Sequence, residues 1–376
     1  MPDFTKEFFD FSPTVYLNCA YHGPFPRATV ARIHQAIELK INPARMESHH
    51  FFDNTKSVRN RLAQLVNANP SDIALTNSAT QGIGMVAAGL DFKSGDEVVI
   101  ASNNFPSNLF TWLHLRRFGV RAKVLKPLDG YLRVEDVAAA LTPRTRILAL
   151  DWVSYLTGVR IDLAALGELA HQHGSLFVVD GTQGVGALEL DVQALPIDVI
   201  AVGAYKWLLG PYSTGFAYLS PQVRDRLDLK VVNWLTVKGS EEFDSLPVEE
   251  FSLPKTAEIF DVPATANFLN LYALDASLEF VQRAGVRTVT EHCTQLLDRL
   301  GEGAMRRGLR LSAAWAPERR STILCFQADS PEATKALFDK LTAQHIAVSL
   351  RHGMIRVSPY LYNTEADIDR LLETIA

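Results

Sequence analysis

The chain has 376 residues, of which 47% are hydrophobic and 21% charged, and a formal net charge of −5. Such a chain can bury a large core and has room for two or three domains, and its mild acidity gives no reason to expect nucleic acid or an anionic membrane as partner. Its three cysteines, Cys19, Cys293 and Cys325, are scattered and odd in number, which excludes a disulfide framework or a zinc spacing and suits a reducing cytoplasm. The first residues lack the basic start and apolar core of a signal peptide, and no stretch reaches the ~18 apolar residues of a membrane span. A cytoplasmic protein is expected.

In chain order, residues 26–40 carry Val30, Ile33, Ile37 and Leu39 at near-helical spacing, with Pro26 near the start. "SVRNRLAQLV" reads as a second helix. An alternation follows. "DIALTNS", "DEVVIAS", "RILALDWVS" and "SLFVVD" read as strands. "TQGIGMVAAGL", "PSNLFTWLHLRRFG" and "DLAALGELAHQHG" read as the helices between them. "DVIAVGAY" and "GFAYLS" complete the set. Strands rich in Val, Ile and Ala without clean alternation predict a mostly parallel, doubly covered sheet in an α/β domain. After about residue 270 a long amphipathic helix, "NLYALDASLEFVQRAG", leads into a smaller α+β region. There "STILCFQ" and "HIAVSLRHGMIRVSPY" read as strands, the latter a hairpin turning near Gly353. "TEADIDRLLETI" reads as a final helix capped by Thr364 with Asp367 three residues on. The expected division is a segment at 1–22, a large domain at 23–265 and a small domain at 266–376.

Two charges stand out. Asp180 ends the apolar run "FVVD", and Lys206 follows the run "DVIAVGAY". In a doubly wound sheet ligands sit beyond the carboxyl ends of the strands, so both would face one crevice. A carboxylate and a lysine there fit pyridoxal 5'-phosphate (PLP): the amine forms a Schiff base with the aldehyde, and the carboxylate pairs with the protonated pyridine nitrogen. The bland alternative is a plain ion pair or two unrelated surface charges. In "TNSATQGIG", Ser78, Ala79 and Thr80 lie where a strand turns into a helix and could cup a phosphate; the alternative is an ordinary N-cap. Gly82, Gly84 and Ala87 imitate a dinucleotide fingerprint, but the next strand ends in asparagines where that motif needs an acid. Phe105, in the loop after "DEVVIA", is placed to lie against a pyridine ring.

With these motifs in view, the chain resembles the class V aminotransferase family, fold type I PLP enzymes that include cysteine desulfurases, kynureninases and isopenicillin-N-epimerase-like proteins. The likeness runs from "YLNCAYHGPFP" to "IRVSPYLYNTEADID" and implies a seven-stranded-type sheet and a smaller C-terminal domain. "VVDGTQGVG" implies that Asp180 pairs with the pyridine nitrogen and Gln183 bonds the ring's phenolic oxygen. "GAYKWLLGP" implies Lys206 as the Schiff-base lysine, with Tyr205 on the phosphate. "NNFPSN" implies Phe105 stacking and Asn108 on the phosphate side. "VPATANF" implies that Thr265 reaches the neighbouring subunit's phosphate, hence a homodimer with composite sites. The C-terminal stretch implies Arg356 on the α-carboxylate of an amino-acid substrate, with Arg351 as the alternative, and Asn18 and His22 beside the pocket. An aminotransferase-like reaction at the α-carbon is expected, with β-lyase, epimerase or PLP binding without turnover as alternatives. The desulfurases' nucleophilic cysteine has no counterpart before Arg356, and kynureninases usually have histidine where Gln183 stands.

Overall fold

The computed structural model describes residues 3–128, 130–228, 230–245, 249–263 and 267–376. Its strands are β1 (Val15–Tyr16), β2 (Ile73–Thr76), β3 (Glu97–Ala101), β4 (Arg121–Leu125), β5 (Thr145–Asp151), β6 (Leu176–Asp180), β7 (Val199–Gly203) and β8 (Gly215–Leu219), then β9 (Arg310–Leu311), β10 (Leu324–Gln327), β11 (Ile346–Ala347), β12 (Ser349–Arg351) and β13 (Met354–Val357). The helices are α1 (Arg27–Ile41), α2 (His49–Leu65), α3 (Ala79–Gly89), α4 (Ser107–His114), α5 (Val134–Ala140), α6 (Leu163–Gln172), α7 (Pro221–Arg224), α8 (Phe268–Ala284), α9 (Val286–Met305), α10 (Pro331–Ala343) and α11 (Glu365–Thr374).

Seven strands form one sheet in the order β2-β8-β7-β6-β5-β3-β4, all parallel except β8, which runs antiparallel to both β7 and β2. The unbroken apolar runs follow from helices on both faces. Along β6, Phe177 and Val179 enter one core while Leu176 and Val178 enter the other; β7 divides Ile200 and Val202 from Val199 and Ala201 in the same way. Gly82 on α3 lets that helix close on the sheet: a Cβ there would stand 2.8 Å from the Cβ of Ala201. The glycine spacing that imitates a dinucleotide fingerprint therefore has a packing cause at Gly82.

A second, antiparallel sheet, β12-β13-β10-β9, packs Leu324, Phe326, Ile355 and Val357 against Leu296 and Leu300 of α9, Leu341 of α10 and Ile368 and Leu371 of α11. The hairpin β12–β13 turns at Gly353 (φ 77°), and α11 begins with the Thr364–Asp367 capping box. The N-terminal segment is tied to this region, since β1 pairs in parallel with β11 and Asn18 bridges to Ser358. Helix α8 places Leu271, Leu274, Leu278 and Phe280 in the core beneath the large sheet. The division expected at 265/266 falls among residues 264–266, outside the described residues.

Four elements carry no clear signal in the sequence. Strand β4 is a sheet edge whose run "RAKVL" includes exposed Arg121 and half-buried Lys123, so it lacks an apolar stretch. Helix α9 alternates its buried leucines with many charges, and α5 and α10 bury only one and two residues.

Candidate active site

Strands β5, β6 and β7 lie side by side and parallel, so their carboxyl ends open on one crevice. β5 ends on Asp151 and β6 on Asp180, which are register partners. β7 ends on Gly203, three residues before Lys206. The turn carrying Lys206 is closed by the Leu209 N–H on the Lys206 carbonyl (3.0 Å) and the Gly210 N–H on the Ala204 carbonyl (2.9 Å). Leu209 and Ser213 both adopt left-handed backbone, φ 55° and 66°. Such strain costs of order 1–3 kcal/mol per residue and survives only where the surroundings over-determine it. Here Trp207 is fully buried and its indole N–H donates to Gln183 Oε1 at 2.9 Å.

The lysine ammonium is 6% exposed and, among the described residues, has no hydrogen-bond or ion-pair partner. Burial lowers its pKa to about 8, and Asp180 works against that shift. Asp180 accepts the Thr182 N–H at 2.9 Å, and burial pushes its own pKa up. Nζ lies 5.4 Å from the ring centre of Phe105 and 5.4 Å from that of Tyr205. The phenol of Tyr205 is raised to about 12, chiefly by burial.

Opposite Lys206, the α3 N-terminus lines the same pocket with Ser78, Ala79 and Thr80. Ser78 caps the helix by accepting the Gln81 N–H, and Thr80 Oγ1 meets Ser107 Oγ at 2.7 Å. The Ala79 and Thr80 N–H groups have no acceptor among the described residues. Gly215 at the start of β8 allows a close approach of strand and turn: a Cβ there would stand 3.3 Å from the Ser78 nitrogen and 2.3 Å from the Val202 carbonyl oxygen.

Several residues sit elsewhere than the sequence suggests. Asn108 is fully buried outside the pocket lining, its amide spent on Asp151 Oδ1 (3.0 Å) and on the Trp112 indole (2.9 Å). It therefore does not offer its side chain to a phosphate; it steadies Asp151. Gln183 lines the pocket but donates to the Ala20 carbonyl at 2.9 Å, which leaves it one free N–H. Thr265 lies outside the described residues. Asn18, His22 and Arg356 stand behind the lining. Asn18 Oδ1 accepts from Ser349, and His22 packs on Tyr205 and Tyr212 with its pKa lowered by burial and by Lys206. Arg356 is 2% exposed; its Nη1 donates to the Tyr155 carbonyl at 2.6 Å and its buried Nε has no partner among the described residues.

The sequence reading passed over Asp151, Tyr155, Thr182, Ser107, Tyr212 and Ser213, all of which line the pocket. Asp151 carried a usable signal, because "RILALD" ends in an acid just as "SLFVVD" does. Its Oδ2 accepts the Phe105 N–H at 2.6 Å, which fixes the loop holding that ring. Burial and the neighbouring Asp180 charge push its pKa well up.

These groups fit PLP. The free amine suits its aldehyde, the carboxylate at 180 its ring nitrogen, and the unpaired N–H groups of α3 its phosphate. Among the described residues no group of His, Cys, Asp and Glu is arranged to hold a metal, and no helix is long and apolar enough to cross a membrane.

Fold and site together define a PLP-dependent enzyme. Residues 15–371 match the family model of class-V aminotransferases, and the chain belongs to that family. It is 28% identical to a probable cysteine desulfurase of Methanothermobacter thermautotrophicus, over 96% of this chain and 94% of that protein. It is 26% identical to the isopenicillin N epimerase of Streptomyces clavuligerus, with the same coverage. In fold it is similar to a mutant of C-DES with glycine covalently linked to the PLP cofactor (TM-score 0.89, 23% identity, 100% of this chain and 99% of that one).

Proposed function

We propose that this enzyme is aminotransferase-like: it removes the α-proton of an amino acid and returns a proton to the cofactor side of the same bond system. The carrying observation is the unpartnered, almost fully buried Lys206 amine, with a pKa near 8, beside Asp180. PLP, when bound, supplies an aldehyde for amines and an electron-poor ring that draws electrons from the substrate's α-carbon. Asp180 holds a proton at the ring nitrogen. Ala79 and Thr80 would bind the phosphate through their N–H groups, and Phe105 would cover the ring. Arg356 orients the α-carboxylate through its fork of N–H donors. With the cofactor bound, Lys206 would be the group to take the proton from the substrate's α-carbon, since a pKa near neutrality balances basicity against availability.

A proton moved between two carbons on one face needs a single base on that face. An epimerase needs a second proton-transfer group on the other face, and besides Lys206 the described pocket lining offers the phenols of Tyr155, Tyr205 and Tyr212, those of Tyr155 and Tyr205 pushed further up by burial. A β-lyase needs one base too, and the likeness to a cysteine desulfurase keeps that second reading open. A relay through an enzyme cysteine is disfavoured, because Cys19, Cys293 and Cys325 are all buried, with thiols pushed up by burial. We also read the chain as a cytoplasmic homodimer, on the free buried thiols and on the segment carrying Thr265.

The test is a panel of amino acids with product analysis. Keto acid formed together with the aminated cofactor supports transamination. Ammonia with pyruvate or sulfide replaces it by elimination, and inverted stereochemistry by epimerisation.

A further inference from the structure

The hairpin β12–β13 carries two arginines, and both remain without a carboxylate. Its register pairs Ser349 with Arg356 and Arg351 with Met354. Arg351 is thus two residues along from the position opposite Arg356, so the two side chains leave the same face of the sheet. Such diagonal neighbours stand about 7–8 Å apart, within reach of long side chains. The face borders the crevice from behind its lining: Arg356 donates to the carbonyl of Tyr155, and Tyr155 lines the pocket. Arg351 is close enough to add its charge at Tyr155, Arg356 and Lys206.

Neither guanidinium forms an ion pair among the described residues. Arg356 keeps a buried, unpartnered Nε, and the one hydrogen bond of Arg351 is a long 3.5 Å contact with its neighbour's carbonyl. Two adjacent cations repel one another when one or both are desolvated, and a single α-carboxylate answers only one of them. The buried Arg356, anchored by Tyr155, suits the invariant end of an amino acid. The partly buried Arg351, at the hairpin tip, suits its variable end.

We propose that the preferred substrate carries a second carboxylate on its side chain, with Arg356 gripping the α-carboxylate and Arg351 the side-chain carboxylate. The proposal rests on the reading of this pocket as an amino-acid site and names the class of amino acid it takes. Arg351 is a specificity residue that touches substrate away from the reacting carbon.

The test uses the PLP-loaded protein and two measurements. Calorimetry compares glutarate with butyrate, which is glutarate without its second carboxylate; both lack the amine. Spectral titration compares glutamate and aspartate with glutamine and asparagine. Glutarate should bind about tenfold tighter than butyrate or better, the scale of one charge-assisted hydrogen-bonded contact. The acidic amino acids should perturb the cofactor spectrum at correspondingly lower concentration. Arg351→Gln should bring both ratios toward one, whereas Arg356→Gln should weaken acidic and neutral ligands alike. Equal binding of glutarate and butyrate, or a ratio that survives Arg351→Gln, overturns the second carboxylate site while leaving the amino-acid reading in place if neutral amino acids still change the spectrum. No spectral change with any amino acid overturns that reading and this proposal with it.

Discussion

The most direct consequence of burying Lys206 is its reactivity near neutral pH. An ordinary lysine amine titrates at 10.5, and here burial brings it to about 8. At pH 7 the neutral, nucleophilic fraction is then about 9%, against about 0.03% for an unperturbed lysine, an enrichment of about 300-fold. Apoprotein mixed with PLP and quenched with borohydride at successive times should show the tag on the peptide spanning residues 205–210. The tagging rate should rise tenfold per pH unit below about pH 7 and level off above about pH 8. The sign follows from the charge: raising the pH removes a proton from an amine that reacts only without it. Asp180→Asn removes the nearby negative charge that favours the ammonium, so the midpoint should move to lower pH even as cofactor affinity falls. A rate that keeps climbing to pH 10, or a tag spread over surface lysines with none at Lys206, would refute the argument from burial.

Lys206→Ala should lower turnover by about 10²–10⁴-fold, the usual worth of a positioned proton-transfer group, while the protein stays folded by circular dichroism. Replacing Cys19, Cys293 and Cys325 together by Ala should leave turnover within about threefold, since buried neutral thiols do no chemistry; a hundredfold loss would restore a cysteine relay. Arg59→Ala should destabilise the protein by about 3–5 kcal/mol in urea unfolding. It strands the buried carboxylate of Asp261, which Arg59 holds at 2.7 Å. Gly215→Val should destabilise the protein in urea unfolding, because its Cβ alone would stand 2.3 Å from the Val202 carbonyl oxygen of the adjoining strand β7.

What the sequence makes legible is charge out of place. Asp180 and Lys206 can be found because each interrupts an apolar run, and a buried charge is too costly to be there without a task. The sheet is legible for the same reason in reverse: strands covered on both faces leave unbroken runs of Val, Ile and Ala, and only the edge strand β4, half exposed, escapes notice. The supports of the site are not legible in this way. Asp151 ends a strand as Asp180 does, but its task is to hold the Phe105 N–H and the Asn108 amide, 46 and 43 residues earlier in the chain. No local spacing records such a contact, and a likeness to relatives placed Asn108 on a phosphate, whereas the residue is fully buried outside the pocket lining. Arg356 adds the converse case. The residue is visible in the sequence, but the lack of any partner for its buried Nε is a fact of packing alone. The reacting groups therefore announce themselves by their cost, and the groups that aim them emerge only once the strands are laid side by side. On the proposed reading that second set decides the substrate: Lys206 and Asp180 would serve any amino acid, while the register of β12 on β13 sets two guanidinium groups on one face, which suits two carboxylates.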